Sequence, residues 1–468
     1  MTHVNTPFPE MDEALPTADA TDADAGGALP WITADHFAEL SGRGIAAGFR
    51  DMILDGRVAV GARLPTVRDL AQRLGTTPAT IADAWSRLRL IGLVETRRRG
   101  GTIVLAATPA LPAPGLLDLS QALADPALQH GLEAAIAEGV RSANLAPAER
   151  EYVTPQLQQA VAPSWPFKPQ AWTTGAGGAE AALCAYSAAL TTSAIVAIEE
   201  PTSPRILEAL SILRATPVPV ACDGEGPRPE ALEQALAAGA RTFIYQPRAH
   251  LPLGHSISAE RLQALAAVIA RHPEVVVVED DGLGPLAQSD PVSLGDRFPD
   301  RIIHIRAYCK TYGNDLKTAL VAGARPLVER MNEVRSHGYN VTSRILQNTV
   351  ASLIESPAAR RTLATARQRY AERRIALAKA LEAHGIATAN ADGLLLWVPV
   401  RDEHSAIINL ARRGITVGPG SDCFLRETVS APHIRIATSR LPDDPSSLEA
   451  IADLIAQAIR QPSPLDHD

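Results

Sequence analysis

Between Ala194 and Tyr308, four short apolar runs alternate with amphipathic helical stretches. The runs are AIVAIEE (194–200), RTFIYQP (241–247), EVVVVED (274–280) and RIIHIRAY (301–308); ISAERLQALAAVIARH (257–272) is one of the helical patterns between them. A sheet with one wet face alternates polar and apolar residues. Nearly continuous Val/Ile runs separated by helices instead require a mainly parallel sheet covered on both faces. The large part of the chain is therefore α/β, in three layers. The C-terminal part reads differently. From about Arg360 a long helix is followed by GLLLWVPV as a strand, then ITVGPG, HIRIAT and a closing helix, which makes a smaller α+β subdomain.

At 468 residues the chain has room for two to four domains of roughly 100–200 residues. Hydrophobic residues make up 46% and charged residues 21%, which excludes wholesale disorder. There is no uncharged apolar run long enough to cross a membrane. The first thirty residues hold six acidic side chains and no Lys or Arg, unlike a secretory signal, and are expected to be a disordered acidic tail. The four cysteines (Cys184, Cys222, Cys309, Cys423) match neither a disulfide framework nor a zinc-ligand spacing. The expectation is a reducing cytoplasm and no metal site.

Residues 37–105 carry eleven Arg, no Lys and six acidic groups, so a basic segment sits inside a chain of net charge -8. Such an island suits a polyanion, and guanidinium forks suit phosphate and guanine. Within it, Leu64, Leu70, Leu74, Ile81, Trp85, Leu88 and Leu93 fall at helical core spacing. Gly75-Thr76 breaks one helix, and Thr77 caps the next, which starts near Pro78. ETRRRGGTIV then reads as a hairpin turning at Gly100-Gly101 and carrying Arg97, Arg98 and Arg99. The assembly is a winged helix-turn-helix, whose second helix enters the major groove. AATPALPAPG (106–115) is a Pro/Ala linker of up to roughly 30 Å, after which the large domain runs from 116 to 462.

LPTVRDLAQRLG, ATIADAWSRL and GLVETRRRGGTIV together resemble a GntR-type DNA-binding domain over about seventy residues. The resemblance implies phosphate contacts from Arg68 and Thr77, Thr80 on the base-facing helix, and the wing Arg97, Arg98, Arg99 and Gly101 against the flanking groove of double-stranded DNA. Where relatives carry Arg early in the recognition helix, this chain has Pro78 and Ala79.

Three segments of the large domain carry cofactor-type chemistry. TTGAGGAEAALCAYSAAL (173–190) opens a helix with a small-residue turn, so the amides of Ala176 and Gly177 offer an anion site. VVVVEDDGLG (275–284) puts Asp280 at the carboxyl edge of the sheet, where α/β ligands bind. RAYCKTYGNDLKTALVAGA (306–324) puts Lys310 directly after a strand and Lys317 seven residues later. A lysine in a cleft can have a lowered pKa and form a Schiff base.

In this order and spacing the three segments resemble fold-type I pyridoxal-phosphate proteins of the aspartate aminotransferase superfamily. With the winged head, the whole resembles the MocR family of bacterial transcriptional regulators. The resemblance implies Lys310 as the Schiff-base lysine, Asp280 on the pyridine nitrogen, and Ala176, Gly177 and Lys317 on the phosphate. It also implies Arg435 on the carboxylate of an amino acid or amine effector, and Tyr152 donated across a head-to-tail homodimer. The chain departs from the pattern in several places. Leu251 stands where relatives carry the Asn that touches the cofactor's 3-oxygen. Gly282 and Leu283 stand where a Tyr is expected, Ser203 replaces an aromatic, and Ala307 and Cys309 replace serines. Losing those donors predicts weakened cofactor binding and at most residual transamination. The expected function is a DNA-binding regulator controlled by pyridoxal phosphate. The alternatives are a working aminotransferase with a DNA-binding head, and a regulator whose large domain has lost the cofactor.

Overall fold

The computed structural model describes residues 29–37, 39–54, 57–59, 61–90, 93–97, 101–104, 117–143, 151–190, 193–338, 341–389, 391–425 and 432–461. Most of the acidic tail and all of the 106–115 linker fall outside these residues. The chain divides into two compact units, Met1–Leu111 and Pro112–Asp468.

The first unit contains α1 (Gly42–Leu54), α2 (Val67–Leu74) and α3 (Pro78–Leu90), followed by β1 (Val94–Arg97) and β2 (Gly101–Val104). Thr66 caps α2 by accepting from the Asp69 N–H at 3.2 Å. Gly75 ends α2 in the left-handed region at φ 65°, a conformation glycine adopts without strain. Thr77 then caps α3 by accepting from the Thr80 N–H at 3.2 Å. The apolar stripe of each helix turns inward, so that Ile45, Phe49, Leu70, Ile81, Trp85 and Leu88 share one core with Val104. Phe49 meets the Trp85 ring edge-on with centroids 4.7 Å apart. β1 and β2 pair antiparallel, Arg97 opposite Gly101. Gly101 is thus the first residue of β2, and not part of the turn tip as the sequence suggested. Its φ of 74° again favours glycine.

In the second unit the strands are β3 (Leu117–Leu119), β4 (Ala171–Gly175), β5 (Ile195–Glu200), β6 (Thr216–Asp223), β7 (Gly226–Pro227), β8 (Thr242–Tyr245), β9 (Val276–Asp281), β10 (Ile302–Ala307), β11 (Ala319–Gly323), β12 (Leu395–Pro399), β13 (Ile415–Pro419) and β14 (His433–Ala437). Eight of them form one sheet in the order β4-β11-β10-β9-β8-β5-β6-β7. The middle, from β10 to β6, is parallel. β11 runs against both of its neighbours. Successive residues of each central strand go to opposite faces. Ala197, Phe243 and Val277 join one apolar cluster, and Ile198, Ile244 and Val278 join the other. This two-sided burial explains why the strands read as unbroken apolar runs.

The smaller subdomain is a four-stranded sheet, β12-β14-β13-β3. It packs with the helices Pro357–Ala383, Glu403–Ala411 and Pro445–Arg460 around Leu377, Leu396, Ile434 and Ile455. β3 joins it in parallel beside β13, Leu117 opposite Ile415.

Candidate cofactor and DNA sites

The parallel strands end together, and the segments singled out by sequence meet at that carboxyl edge. Asp280 is the penultimate residue of β9. Its Oδ2 accepts from the Tyr186 hydroxyl at 2.7 Å, the tyrosine lying on the helix Gly178–Ala189. Burial pushes the Asp280 carboxyl above its ordinary range, and the neighbouring Asp281 charge adds to this; Tyr186 and the nearby Lys310 oppose it. Lys310 follows β10 in the short helix Cys309–Tyr312 and is half-buried. Burial lowers its pKa and the Arg205 charge lowers it further, against the pull of Cys309 and Asp280. Both pKa values are thus shifted in the direction that favours the neutral form.

The anion cup is built at the start of the 178–189 helix. Gly177, with φ 92°, is its N-cap. A Cβ on Gly177 would come 3.5 Å from Lys317 Cδ, so the glycine leaves the cup open beneath that lysine. A Cβ on Gly178 would come 3.0 Å from the Ala307 methyl, so the glycine lets the start of this helix sit close against the end of β10. The Ala176 amide differs from expectation. It donates to Glu180 Oε2 at 2.8 Å. Glu180 is held in turn by buried Arg335, whose Nε lies 2.7 Å from Oε1. In this arrangement Ala176 is already satisfied, and the anion donors left are the first helical amides, which have no intrahelical acceptor, together with Lys317.

Tyr152 is half-buried, and its carbonyl accepts from the Thr174 hydroxyl at 2.8 Å on the strand that leads into the cup. Arg435, on β14, donates from Nε to the Pro419 carbonyl at 2.9 Å and pairs with Asp422 at 3.4 Å. The segment after Asp422 reaches β5 and the residues beyond it: the Thr202 N–H donates to the Cys423 carbonyl at 2.9 Å. Arg435 therefore belongs to the same edge, with Asp422 competing for it. Leu251 precedes Pro252 through a cis peptide. Its N–H and C=O bond the side-chain amide of Gln246 at 3.0 and 3.1 Å. Sequence reading missed Arg205, Tyr186 and Glu180, whose roles arise only once distant segments meet.

Beneath this edge lies a buried polar layer. Asp281 takes a two-pronged ion pair from Arg248 at 2.9 and 2.7 Å, and a third hydrogen bond from Arg306 at 3.1 Å. His304 Nδ1 lies 2.7 Å from Glu279 Oε2, and Tyr245 donates to Glu279 Oε1 at 2.6 Å. Burial works against Asp281, yet His304, Arg248 and Arg306 hold its carboxyl well below the usual carboxylate range. Burial likewise opposes His304, but Asp281 and Glu279 keep its imidazolium above the ordinary histidine value.

On the head, Arg68 is exposed on α2 and Thr77 is exposed at the start of α3. Thr77 Oγ1 and Thr80 Oγ1 lie 2.8 Å apart, so one of their two hydroxyl protons is spent between them and one remains for another acceptor. The acidic Asp83 on α3 is paired with Arg87 at 2.9 Å. Arg63, which carried no assignment in the sequence, bridges to Ile103 and lies beside Gly101, at the base of the wing. Arg98 and Arg99 fall outside the described residues, and Arg97 is described by its backbone alone.

Comparison with known proteins agrees with both halves. Residues 121–445 match the model of the aminotransferase class I and II family, and residues 42–104 match the bacterial regulatory proteins of the gntR family. The vitamin B6 salvage pathway transcriptional repressor PtsJ of Salmonella typhimurium is 34% identical over 432 residues, covering 88% of this chain and 97% of that repressor. The chain belongs to the MocR-type transcriptional regulators. An uncharacterised HTH-type transcriptional regulator of Bacillus subtilis, YisV, is 24% identical over 81% of this chain and 88% of its own. Aspartate aminotransferase of Thermus thermophilus with maleate superposes with a TM-score of 0.63 at 19% identity, covering 81% of this chain and 96% of that one, a likeness of fold. The regulator thus joins a gntR-type DNA-binding head to an aminotransferase-fold body. Among the described residues, no helix is long and apolar enough to cross a membrane.

Proposed function

We propose that this regulator binds pyridoxal phosphate in its body, alone or with an amino compound, and that occupancy sets the affinity of its heads for DNA. The observation that carries the reading is the convergence at one sheet edge of Lys310, Asp280 and the Gly177–Lys317 cup. The residues fit the cofactor. An open cup under a cation suits a phosphate, a carboxyl raised by burial suits a protonated ring nitrogen, and a half-buried amine of lowered pKa suits a carbonyl. When bound, the cofactor supplies an aldehyde and a ring that withdraws electrons from it. Lys310 would present its amine to that aldehyde. Asp280, steadied by the Tyr186 hydroxyl, would accept a hydrogen bond from the protonated ring nitrogen. Lys317 and the helix amides, Gly177 among them, would hold the phosphate, with Ala176 joining once Glu180 turns aside. Tyr152 would be donated across a head-to-tail homodimer, and Arg435 would exchange Asp422 for an effector carboxylate. Arg68, Thr77, Thr80, the wing Arg97, Arg98 and Arg99 and Gly101 would dock the head on duplex DNA. The Salmonella relative represses a vitamin B6 salvage pathway, and a body that measures a B6 vitamer accounts for fusing this fold to a DNA-binding head.

The test is a titration of the full-length protein with pyridoxal phosphate, followed by borohydride reduction and peptide mapping. The expected result is one phosphopyridoxyl group per chain on Lys310. Labelling on Lys317 instead would overturn the assignment, and no labelling at saturation would favour a body without the cofactor.

A further inference from the structure

Three polar atoms of two neighbouring buried side chains have no hydrogen-bond partner: Glu199 Oε1 and both ring nitrogens of His255. Buried polar groups are nearly always satisfied, and a native exception points to a water or an ion. Glu199 is fully buried on β5 and His255 is 2% exposed. Cys222 comes from β6 beside them, half-buried and unbridged. The ligand atoms of Glu199, Cys222 and His255 all lie within 4.8 Å of one another. Glu199 Oε1 stands 3.5 Å from His255 Nε2, close to the roughly 3.3 Å that two ligands at 2.0 Å subtend in a tetrahedron.

We propose that Glu199, Cys222 and His255 form a zinc site, with water as the fourth ligand. The donor set selects the ion. A thiolate and an imidazole are poor ligands for magnesium or calcium and good ones for zinc. The charges also balance, because a carboxylate and a thiolate neutralise a dication that no exposed group could screen. Binding releases the Cys222 thiol proton to solvent. The Glu199 geometry is prepared from outside. The Gln246 N–H donates to its other oxygen, Oε2, at 2.7 Å. His250 stacks on His255 with centroids 4.1 Å apart. It accepts the Leu253 N–H on Nδ1 at 3.3 Å, which leaves the proton on Nε2, 3.5 Å from Glu199 Oε2. His250 is thus an orienting neighbour of the site, not a fourth ligand. Gly226 leaves the approach open, since a Cβ there would come 3.4 Å from His255 Nε2. The ion would tie β5 and β6 to the loop that carries Leu251. The proposal stands apart from the cofactor reading, because Glu199 projects to the sheet face opposite the Asp280 side chain.

The test uses full-length protein stripped with a chelator and titrated with Zn2+ or Co2+. One equivalent per chain is expected, with the intense absorption of thiolate-bound tetrahedral Co2+. Cys222→Ser should abolish the thiolate band and weaken Zn2+ binding at least tenfold, the minimum expected when even an outer-shell partner is removed. Cys184→Ser and Cys423→Ser should leave both unchanged. Zinc X-ray absorption on the unmodified protein needs no variant and should count one sulfur and three nitrogen or oxygen neighbours. A Co2+ spectrum without a thiolate band, a band that survives Cys222→Ser, or a sulfur-free shell would overturn the site, leaving an ordered water as the partner of the orphaned atoms.

Discussion

A carboxylate's neighbours decide what it can do, and three acidic residues in succession show this. Glu279, Asp280 and Asp281 alternate across β9, so Asp280 faces one side of the sheet while its neighbours face the other. Asp280 is left with one phenol partner and a raised pKa; Asp281 has two guanidinium partners and a depressed one. A protonated pyridine would relieve the cost that burial imposes on Asp280. Asp280→Ala should therefore weaken pyridoxal phosphate binding. Leu251→Asn should tighten it, by about 1–2 kcal/mol or roughly 5- to 30-fold, if the new amide reaches the 3-oxygen. Gln246 already occupies the Leu251 peptide, so the loop is anchored without the missing donor. Titrating both variants beside the parent decides the matter. Weaker binding in Leu251→Asn together with no change in Asp280→Ala would show a pocket built on other principles.

At the scale of elements, Asp281 fastens three of them, because Arg248 comes from the loop after β8 and Arg306 from β10 just ahead of Lys310. Removing one partner of a buried ion pair strands the others. Asp281→Asn should cost about 3–5 kcal/mol in urea unfolding. His304 adds a pH dependence. Its folded pKa is raised, so its stabilisation is complete below the unfolded value of about 6.5 and disappears as pH rises through the folded one. Asp281 acts in the opposite sense: its contribution is present above about pH 4 and falls away in acid. Unfolding free energies at about pH 6 and pH 9 should differ less in His304→Gln than in the parent; an equal difference would remove His304 from the account. The strands around this layer were legible in sequence because two-sided burial writes Val and Ile runs. β6 was not, because TPVPVACD carries Pro217 and Pro219, which read as a loop. It tolerates them near the sheet edge, where only the two-residue β7 pairs beyond it. The short β3 was hidden too, since three residues carry no periodicity and its partner lies about three hundred residues away. The polar layer escaped notice for a similar reason: its charges are scattered from Tyr245 to Arg306, and only the register of β8, β9 and β10 stacks them.

For the molecule as a whole, the question is whether the body speaks to the heads. The helix-turn-helix was readable because its caps, its core spacing and its basic wing agree locally. Coupling through a linker leaves no such mark. It has to be measured as a difference in DNA affinity with and without the cofactor, since a ligand shifts an equilibrium only by its differential affinity for the two states. Arg68 provides the control. It is exposed and sits on α2, so Arg68→Ala should weaken binding to every duplex alike. The slope of log affinity against log salt should fall by about 1 for each phosphate that the arginine no longer neutralises, hence by about 2 if two heads engage one operator. Adding pyridoxal phosphate to the parent should shift affinity while leaving that slope unchanged, provided the same phosphates are touched. Lys310→Ala should abolish the shift and keep the parent's cofactor-free affinity. A slope change near 1 would mean that one head binds at a time. A cofactor shift that persists in Lys310→Ala would move the sensor away from the sheet edge altogether.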